Sequence, residues 1–283
     1  MNSQFTTHVP KLIIVAGPTA VGKTAYAIKL ARQLDTEILS CDSRQFYREL
    51  RIGVARPTDT ELATAPHHFI ACRSVTRPYN IFDYSRDAMS LLQRLFASHS
   101  VVIACGGSGL YIDALLHEPA RLPDPTPELR SSLQHTPIEE KRAMLHRLDP
   151  DYYARVDLSN PVRLQRALEV CITAGRPYSA VLSEQQTAPR PFQCEVRVLQ
   201  TSADELRHRI DSRVDRMMAD GLLDEVQSLL PYRHLNTLNT VGYRELFDAI
   251  DGTVTLEQAV DQIKLNTWHY ARRQQTWMRR YQS

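Results

Sequence analysis

The chain has 283 residues, long enough for one large domain or two modest ones. Hydrophobic residues make up 43% and charged residues 23%, ordinary globular usage that excludes a disordered, collagen-like or fibrous protein. Thirty-four Lys plus Arg against 32 Asp plus Glu give a formal net charge of +2, so bulk charge neither demands nor excludes a polyanionic partner.

The first ten residues are polar and expected to fray, after which Lys11–Ala16 reads as a buried strand of β-branched and aliphatic residues. Its apolar run is far short of the ~20 residues a membrane span needs and leads into glycine, so neither a span nor a secretory signal is expected. A glycine loop follows, then a helix over Thr24–Leu34, and Glu37–Cys41 reads as a second short buried strand closed by Asp42. Tyr84–Ala97 has the pattern of another amphipathic helix. Val101–Cys105 reads as a third buried strand that runs into Gly106-Gly107-Ser108-Gly109 and a helix through Leu116. Strands alternating with helices predict an α/β core with a mostly parallel sheet flanked by helices.

From about Glu118 the pattern changes, because Pro119, Pro123, Pro125 and Pro127 repeatedly break helix. Asn160-Pro161 is a helix start and Gly175 a stop for Val162–Ala174, so this region reads as helical. Glu195–Gln200 looks like a strand again, which makes residues 119–190 a helical insertion in a core built from 1–118 and 191–283. Ser202 and Glu205 have capping-box spacing and open a helix through Ala219, Gly221 ends it, and a second helix runs to Leu230 before a helical tail. Neither an internal repeat nor a low-complexity segment is visible. Five cysteines without a C-x-x-C pair predict reduced thiols in cytoplasm and no structural metal.

Gly17-Pro18-Thr19-Ala20-Val21-Gly22-Lys23-Thr24 matches G-x-x-x-x-G-K-[ST] between a buried strand and a helix, the context a phosphate loop (P-loop) requires. Glycines let backbone N–H groups point into one concavity, the helix N-terminus adds partial positive charge, and Lys23 adds a full one. Thr24 is the expected hydroxyl ligand of a phosphate-bound Mg2+. An NTPase usually ends a downstream apolar strand in an acid, whereas Val101–Cys105 ends in two glycines, which weakens an ATPase reading.

In an open parallel sheet the C-terminal strand ends face one crevice, so Asp42 is placed to stand near the phosphate site as a general base, with Ser43 and Gln45 suited to reading an acceptor. Asp42 as the cap of a following turn is the competing reading.

The chain resembles the tRNA dimethylallyltransferases, also called tRNA isopentenyltransferases. The likeness rests on the Gly17–Thr24 loop, Asp42-Ser43-Arg44-Gln45 with Tyr47, Ile52-Gly53, Ala55 and Pro57. It continues through Pro66-His67-His68, Gly106-Gly107 with Leu110-Tyr111, Arg163-Leu164 with Arg166-Ala167-Leu168-Glu169, Val241-Gly242-Tyr243-Arg244 and Arg273-Gln274 with Thr276-Trp277. The resemblance implies transfer of a dimethylallyl group from dimethylallyl diphosphate to N6 of the adenosine 3′ of a tRNA anticodon, with release of diphosphate. The phosphate loop would then hold a leaving group, with Lys23, Mg2+ on Thr24 and backbone amides stabilising its charge. It also implies that Asp42 accepts the N6 proton and that Ser108 and Arg130 contact the reacting groups. Ser108 stands where the family usually has threonine, Val54 replaces a usual threonine and Asn239 a usual arginine.

The partners implied are the tRNA anticodon stem-loop and dimethylallyl diphosphate, with no membrane and a monomeric enzyme. An adenosine inside a stacked loop has to be extruded, so the protein must grip flanking nucleotides. The contact set implied is Asp42, Ser43, Arg44, Gln45, Val162, Arg163, Leu164, Gln165, Arg166, Asn239, Gly242, Tyr243, Arg244, Arg272, Arg273, Gln274, Thr276, Trp277 and Arg279. Arg163 and Arg166, three apart on one helix, project from one face, which solvation alone would also explain. Residues 261–283 interleave Lys264, Arg272, Arg273, Arg279 and Arg280 with Trp268, His269, Tyr270, Trp277 and Tyr281. That suits backbone contact plus base stacking, and equally an amphipathic helix with core aromatics. His67 and His68 diverge too far for an easy shared metal site. The competing functions are an isopentenyltransferase acting on free adenine nucleotides, a P-loop small-molecule kinase and a non-catalytic RNA-binding protein.

Overall fold

Five aliphatic residues in a row can be hidden only in a strand covered on both faces, and Lys11–Ala16 is such a strand in the computed structural model, which describes residues 9–77, 79–184 and 189–282. Most of the ten residues expected to fray, 1–8, lie outside the described residues. The strands β1 (Lys11–Ala16), β2 (Ile38–Ser40), β3 (His67–His68), β4 (Val101–Gly106) and β5 (Gln193–Val198) form one sheet in the order β3-β2-β4-β1-β5, every pairing parallel. Ala16 lies opposite Gly106 and Ser40 opposite Cys105, so β2, β4 and β1 end side by side.

The pleat sends alternate residues to opposite faces. Leu12, Ile14, Leu39, Val102 and Ala104 pack with Tyr84, Ala88, Leu91 and Leu92 of the helix Ile81–Leu95 and with Ile112 and Leu115 of the helix Gly109–Leu116. On the other face Val15, Ile38 and Ile103 receive Ala27 and Ala31 of the helix Lys23–Leu34.

Several boundaries depart from the expected ones for identifiable reasons. The second strand stops at Ser40, because the Asp42 carboxylate accepts the Arg44 N–H at 2.9 Å and turns the chain out of the ladder. The helix expected from Tyr84 begins at Ile81, where Asn80 accepts from the N–H groups of Phe82 and Asp83 and Asp83 returns a bond to the Asn80 N–H. The last strand runs over Gln193–Val198, its start set by the bond from Gln193 N–H to the Pro10 carbonyl. The two-residue β3 has no apolar run to announce it; His68 Nε2 lies 2.5 Å from a Glu37 carboxylate oxygen, which makes that histidine a structural partner.

The chain divides into two compact units, one of residues 1–117 with 190–283 and one of residues 118–189. The second is helical, with Leu133, Leu145, Leu164, Ala167 and Leu168 at its centre. Its longest helix, Pro161–Ala174, is capped by Asn160 and ended by Gly175 at φ +66°, where a side chain would be strained.

In the first unit the helices Ala203–Ala219, Leu222–Ser228, Tyr243–Ile250 and Leu256–Met278 enclose a core that includes Val214, Leu222, Tyr243, Leu246 and Ile263 together with Tyr47 and Leu50. The Glu225 carboxylate accepts from the backbone N–H groups of Arg51, Ile52 and Gly53 and, at 2.6 Å, from the Tyr243 hydroxyl. The Tyr243 ring lies so close to Gly53 that a Cβ there would come within 2.6 Å of it. Val241-Gly242-Tyr243-Arg244 therefore acts through a buried tyrosine that holds the loop after Asp42. No helix among the described residues is long and apolar enough to cross a membrane. Tyr243→Phe withdraws one donor from a carboxylate and is expected to lower stability by about 1–3 kcal/mol. Urea unfolding of the variant checks this, and an unshifted midpoint would count against the role given to the hydroxyl.

Candidate active site

Three strand ends and two helices build the site. The phosphate loop leaves β1 at Gly17, where φ is +156° and a Cβ would stand 2.9 Å from Val21 Cγ1 and 3.0 Å from the Leu199 carbonyl oxygen. Ala20 adopts φ +65°, a left-handed conformation unfavourable for alanine, and its methyl is buried against Leu206, Ile210 and Ala271. The Lys23 ammonium donates to the Pro18 carbonyl at 2.7 Å. Burial lowers its pKa, opposed by Cys105 and Asp42, and nearby Arg213 lowers it further.

Arg213 donates to Thr19 Oγ1 at 3.3 Å and Arg209 to the Val21 carbonyl at 3.3 Å. Four residues apart, they project from one face of the helix Ala203–Ala219 onto the loop. Burial lowers the Arg213 pKa, with Arg216 adding to the effect. Sequence reasoning missed both residues, because arginines on an amphipathic helix look like an ordinary solvated face. Their four-residue spacing is the only signal, and it gains meaning once the helix is placed.

Asp42 follows β2, and Ser108 follows the Gly106-Gly107 end of the neighbouring β4. The Ser108 hydroxyl accepts the Ser43 N–H at 3.0 Å and lies 3.3 Å from the Ser43 hydroxyl. Tyr270, from the C-terminal helix, comes close to Ser108 and Asp42; burial and the charge of Asp42 push its pKa up to about 12. Burial likewise pushes Tyr111 up to about 12, with Tyr47 adding to it. Asp42 Oδ1 is engaged by Arg44 N–H, and among the described residues Oδ2 accepts no hydrogen bond. Oδ1 thus meets the turn-cap reading of Asp42, a role in which Oδ2 takes no part.

The loop, Asp42, Ser43 and Ser108 come together at one edge of the sheet. Gln45, expected to face an acceptor, turns inward instead: its Oε1 accepts from the Ser40 hydroxyl at 3.0 Å and its Nε2 donates to the Ala55 carbonyl at 3.1 Å. Arg44 is half-buried beside it, while Asn239 and Arg244 are exposed and Gly242 is buried.

In the insertion, Val162 and Arg163 are exposed at the start of their helix, whereas the Leu164 side chain is fully buried and belongs to the core. The buried Glu169 carboxylate lies 3.8 Å from Arg130 Nε and 3.3 Å from Arg166 Nη1, and it accepts from Gln165 Nε2 at 3.1 Å. Arg130 and Arg166 thus share one anion.

The C-terminal helix resolves the two readings of its aromatics by face. Tyr270, Gln274 and Trp277 turn toward the sheet edge, and Arg272, Arg273, Thr276 and Arg279 face outward. Arg272 lies over Trp268 at 5.7 Å and Arg280 over Trp277 at 4.1 Å, so the rings are capped by cations. A Cβ at Gly109 would come within 2.3 Å of the Trp277 indole, so the last glycine of the β4 turn is required by that ring.

A parallel sheet, a phosphate loop and a strand-end carboxylate define a P-loop α/β protein. The family model for IPP transferase matches residues 45–281, and the chain belongs to that family. It is 45% identical over 273 residues to the tRNA dimethylallyltransferase of Christiangramia forsetii, covering 95% of this chain and 90% of that one. It is 44% identical over 276 residues to tRNA dimethylallyltransferase 1 of Bacteroides thetaiotaomicron, covering 96% and 89%. Among solved structures, the tRNA isopentenylpyrophosphate transferase of Bacillus halodurans superposes with a TM-score of 0.69 at 32% identity, covering 95% of this chain and 86% of that one. A eukaryotic dimethylallyltransferase acting on tRNA superposes with a TM-score of 0.80 at 25% identity, covering 95% and 70%.

Proposed function

We propose that this chain is a tRNA dimethylallyltransferase that moves the dimethylallyl group of dimethylallyl diphosphate onto N6 of the adenosine 3′ of the anticodon. The observation that carries this reading is the placement of Asp42 and Ser108 beside a complete phosphate loop in a member of this family. The adenine N6 lone pair attacks C1 of the donor while the C1–O bond to diphosphate breaks, and the surplus N6 proton passes to Asp42 Oδ2 and on to solvent. The leaving diphosphate takes the bonding electrons, and Lys23, Arg213 and the N–H groups of the loop stabilise its charge. Ser108, held by Ser43, orients the acceptor amine.

Mg2+ fits the donor set on offer. Thr24 supplies one hydroxyl, and no group of three or more His, Cys, Asp or Glu among the described residues could hold a metal, so diphosphate and water would complete its shell. Held by Thr24, such an ion would supply positive charge against the leaving diphosphate. No strand-end acid is needed, because attack occurs at carbon and no water has to be positioned on a phosphate. The outward arginines of the C-terminal helix are suited to contact the RNA backbone, as, in its own unit, is the exposed Arg163 of the insertion, and a tRNA substrate fits an enzyme of the cytoplasm.

The test is to incubate the protein with Mg2+, dimethylallyl diphosphate and unmodified tRNA, digest to nucleosides and look for N6-dimethylallyladenosine by mass spectrometry, with AMP and ATP as parallel acceptors. Product on tRNA alone supports the proposal; product only on free nucleotides moves the chain to the nucleotide-acting class. Asp42→Ala is expected to cut kcat by about 10²–10⁴-fold while sparing tRNA affinity, and near-full turnover would remove Asp42 from the base role. Arg163→Ala with Arg166→Ala is expected to weaken tRNA binding and flatten its dependence on salt, whereas an unchanged slope would leave Arg163 solvated and Arg166 only a partner of Glu169.

A further inference from the structure

Gln274 was placed by sequence among the residues that touch RNA, yet only 6% of it is exposed. Both ends of its amide are committed to backbone far away in the chain. Oε1 accepts the Thr19 N–H of the phosphate loop at 2.8 Å, and Nε2 donates to the Gly107 carbonyl in the turn after β4 at 2.8 Å. The reversed amide would face donor with donor and acceptor with acceptor, so the orientation is determined by the partners. The fit is close: a Cβ at Gly107 would stand 2.3 Å from Nε2 and 3.0 Å from the Gly17 carbonyl oxygen.

The neighbours of Gln274 on its helix reach the same turn. Tyr270, one turn earlier, lies beside Ser108, and Trp277, about one turn later, closes over Gly109. Thr19 is also gripped through its hydroxyl by Arg213. One residue of the phosphate loop is therefore held from two helices, and one of these helices carries the outward arginines.

We infer that Gln274 is a positioning residue for the transfer, clamping the phosphate loop to the Gly107-Ser108 turn so that the leaving group and the acceptor-orienting hydroxyl keep one separation. The inference rests on the proposed function for what is transferred, but the clamp itself concerns how the loop holds a diphosphate. Gln274 acts through Thr19 and Gly107, the partners that its amide holds. A misplacement of about 1 Å between reacting groups costs on the order of 10²-fold in rate, which is the scale on which such a clamp acts.

Two variants of the full chain test it. Gln274→Met keeps the length and removes both hydrogen bonds; Gln274→Glu keeps the acceptor for Thr19, loses the donor to Gly107 and adds negative charge beside the loop. Inorganic pyrophosphate affinity by calorimetry, tRNA affinity by filter binding, thermal unfolding and steady-state transfer are measured for each, well below the unfolding midpoint. Gln274→Glu is expected to weaken pyrophosphate binding by about tenfold or more, and Gln274→Met to lower kcat at saturating substrates by on the order of 10²-fold. Both should hold tRNA affinity within about twofold of the parent. Loss of tRNA affinity with unchanged pyrophosphate binding would overturn the inference in favour of an RNA contact. Unchanged kcat and pyrophosphate affinity with only a lowered midpoint would overturn it in favour of a purely structural amide. Should Gln274→Met fail to fold, Gln274→Glu still decides through pyrophosphate. Absence of transfer by the unaltered protein would count against the proposed function and leave the pyrophosphate comparison intact as the test of the clamp.

Discussion

Parallel strands share one polarity, and in this sheet that constraint does most of the work of assembling the site. Because β4 is inserted between β2 and β1, the chain segments after three strands well separated in sequence leave the sheet side by side. The Asp42 turn, the Gly106-Gly107-Ser108 turn and the phosphate loop are then neighbours without any long loop to bring them together. The glycines follow from crowding at that edge. Gly107 has no room for a Cβ beside Gln274, nor Gly109 beside Trp277.

The edge is held from behind by the C-terminal helices. The left-handed Ala20 is unfavourable by itself and is kept in place by burial against Leu206, Ile210 and Ala271, while Arg209, Arg213 and Gln274 engage the loop through hydrogen bonds. A loop fixed before its ligand arrives loses little entropy on binding and presents its charge without reorganisation. The helix that carries Gln274 also carries exposed arginines on its outer face, so the phosphate loop and that basic face are tied to one element.

Carboxylates that gather several donors organise the rest. Glu225 gathers the backbone of residues 51–53 and the Tyr243 hydroxyl, which sets the loop after Asp42, and Glu169 gathers Arg130, Gln165 and Arg166 within the insertion. Each anion is met by several donors, and for the buried Glu169 that is the condition under which a charge inside the fold stabilises rather than disrupts. Residues that look like surface contacts in the sequence, Gln45, Tyr243 and Gln274, prove to be internal fasteners for the same reason: each polar group inside the fold has found a partner.

By itself the sequence determined what local physics can specify. The apolar run of β1, the glycine-lysine-threonine loop, the Asn160-Pro161 start and Gly175 stop of the insertion helix, and the alternation that implies a parallel sheet are all written in short stretches of chain. Elements without an apolar signature were not legible. The helix Asp59–Thr64 buries no residue and is announced only by its Thr58–Glu61 capping box, and β3 is two histidines at an edge. The tertiary structure alone decided the inner shell of the site. Whether Arg213 meets solvent or Thr19, and whether Gln274 faces solvent or the loop, depend on contacts between segments up to 255 residues apart. Helical periodicity says which residues share a face; only the packing of that face against the sheet edge says what it meets.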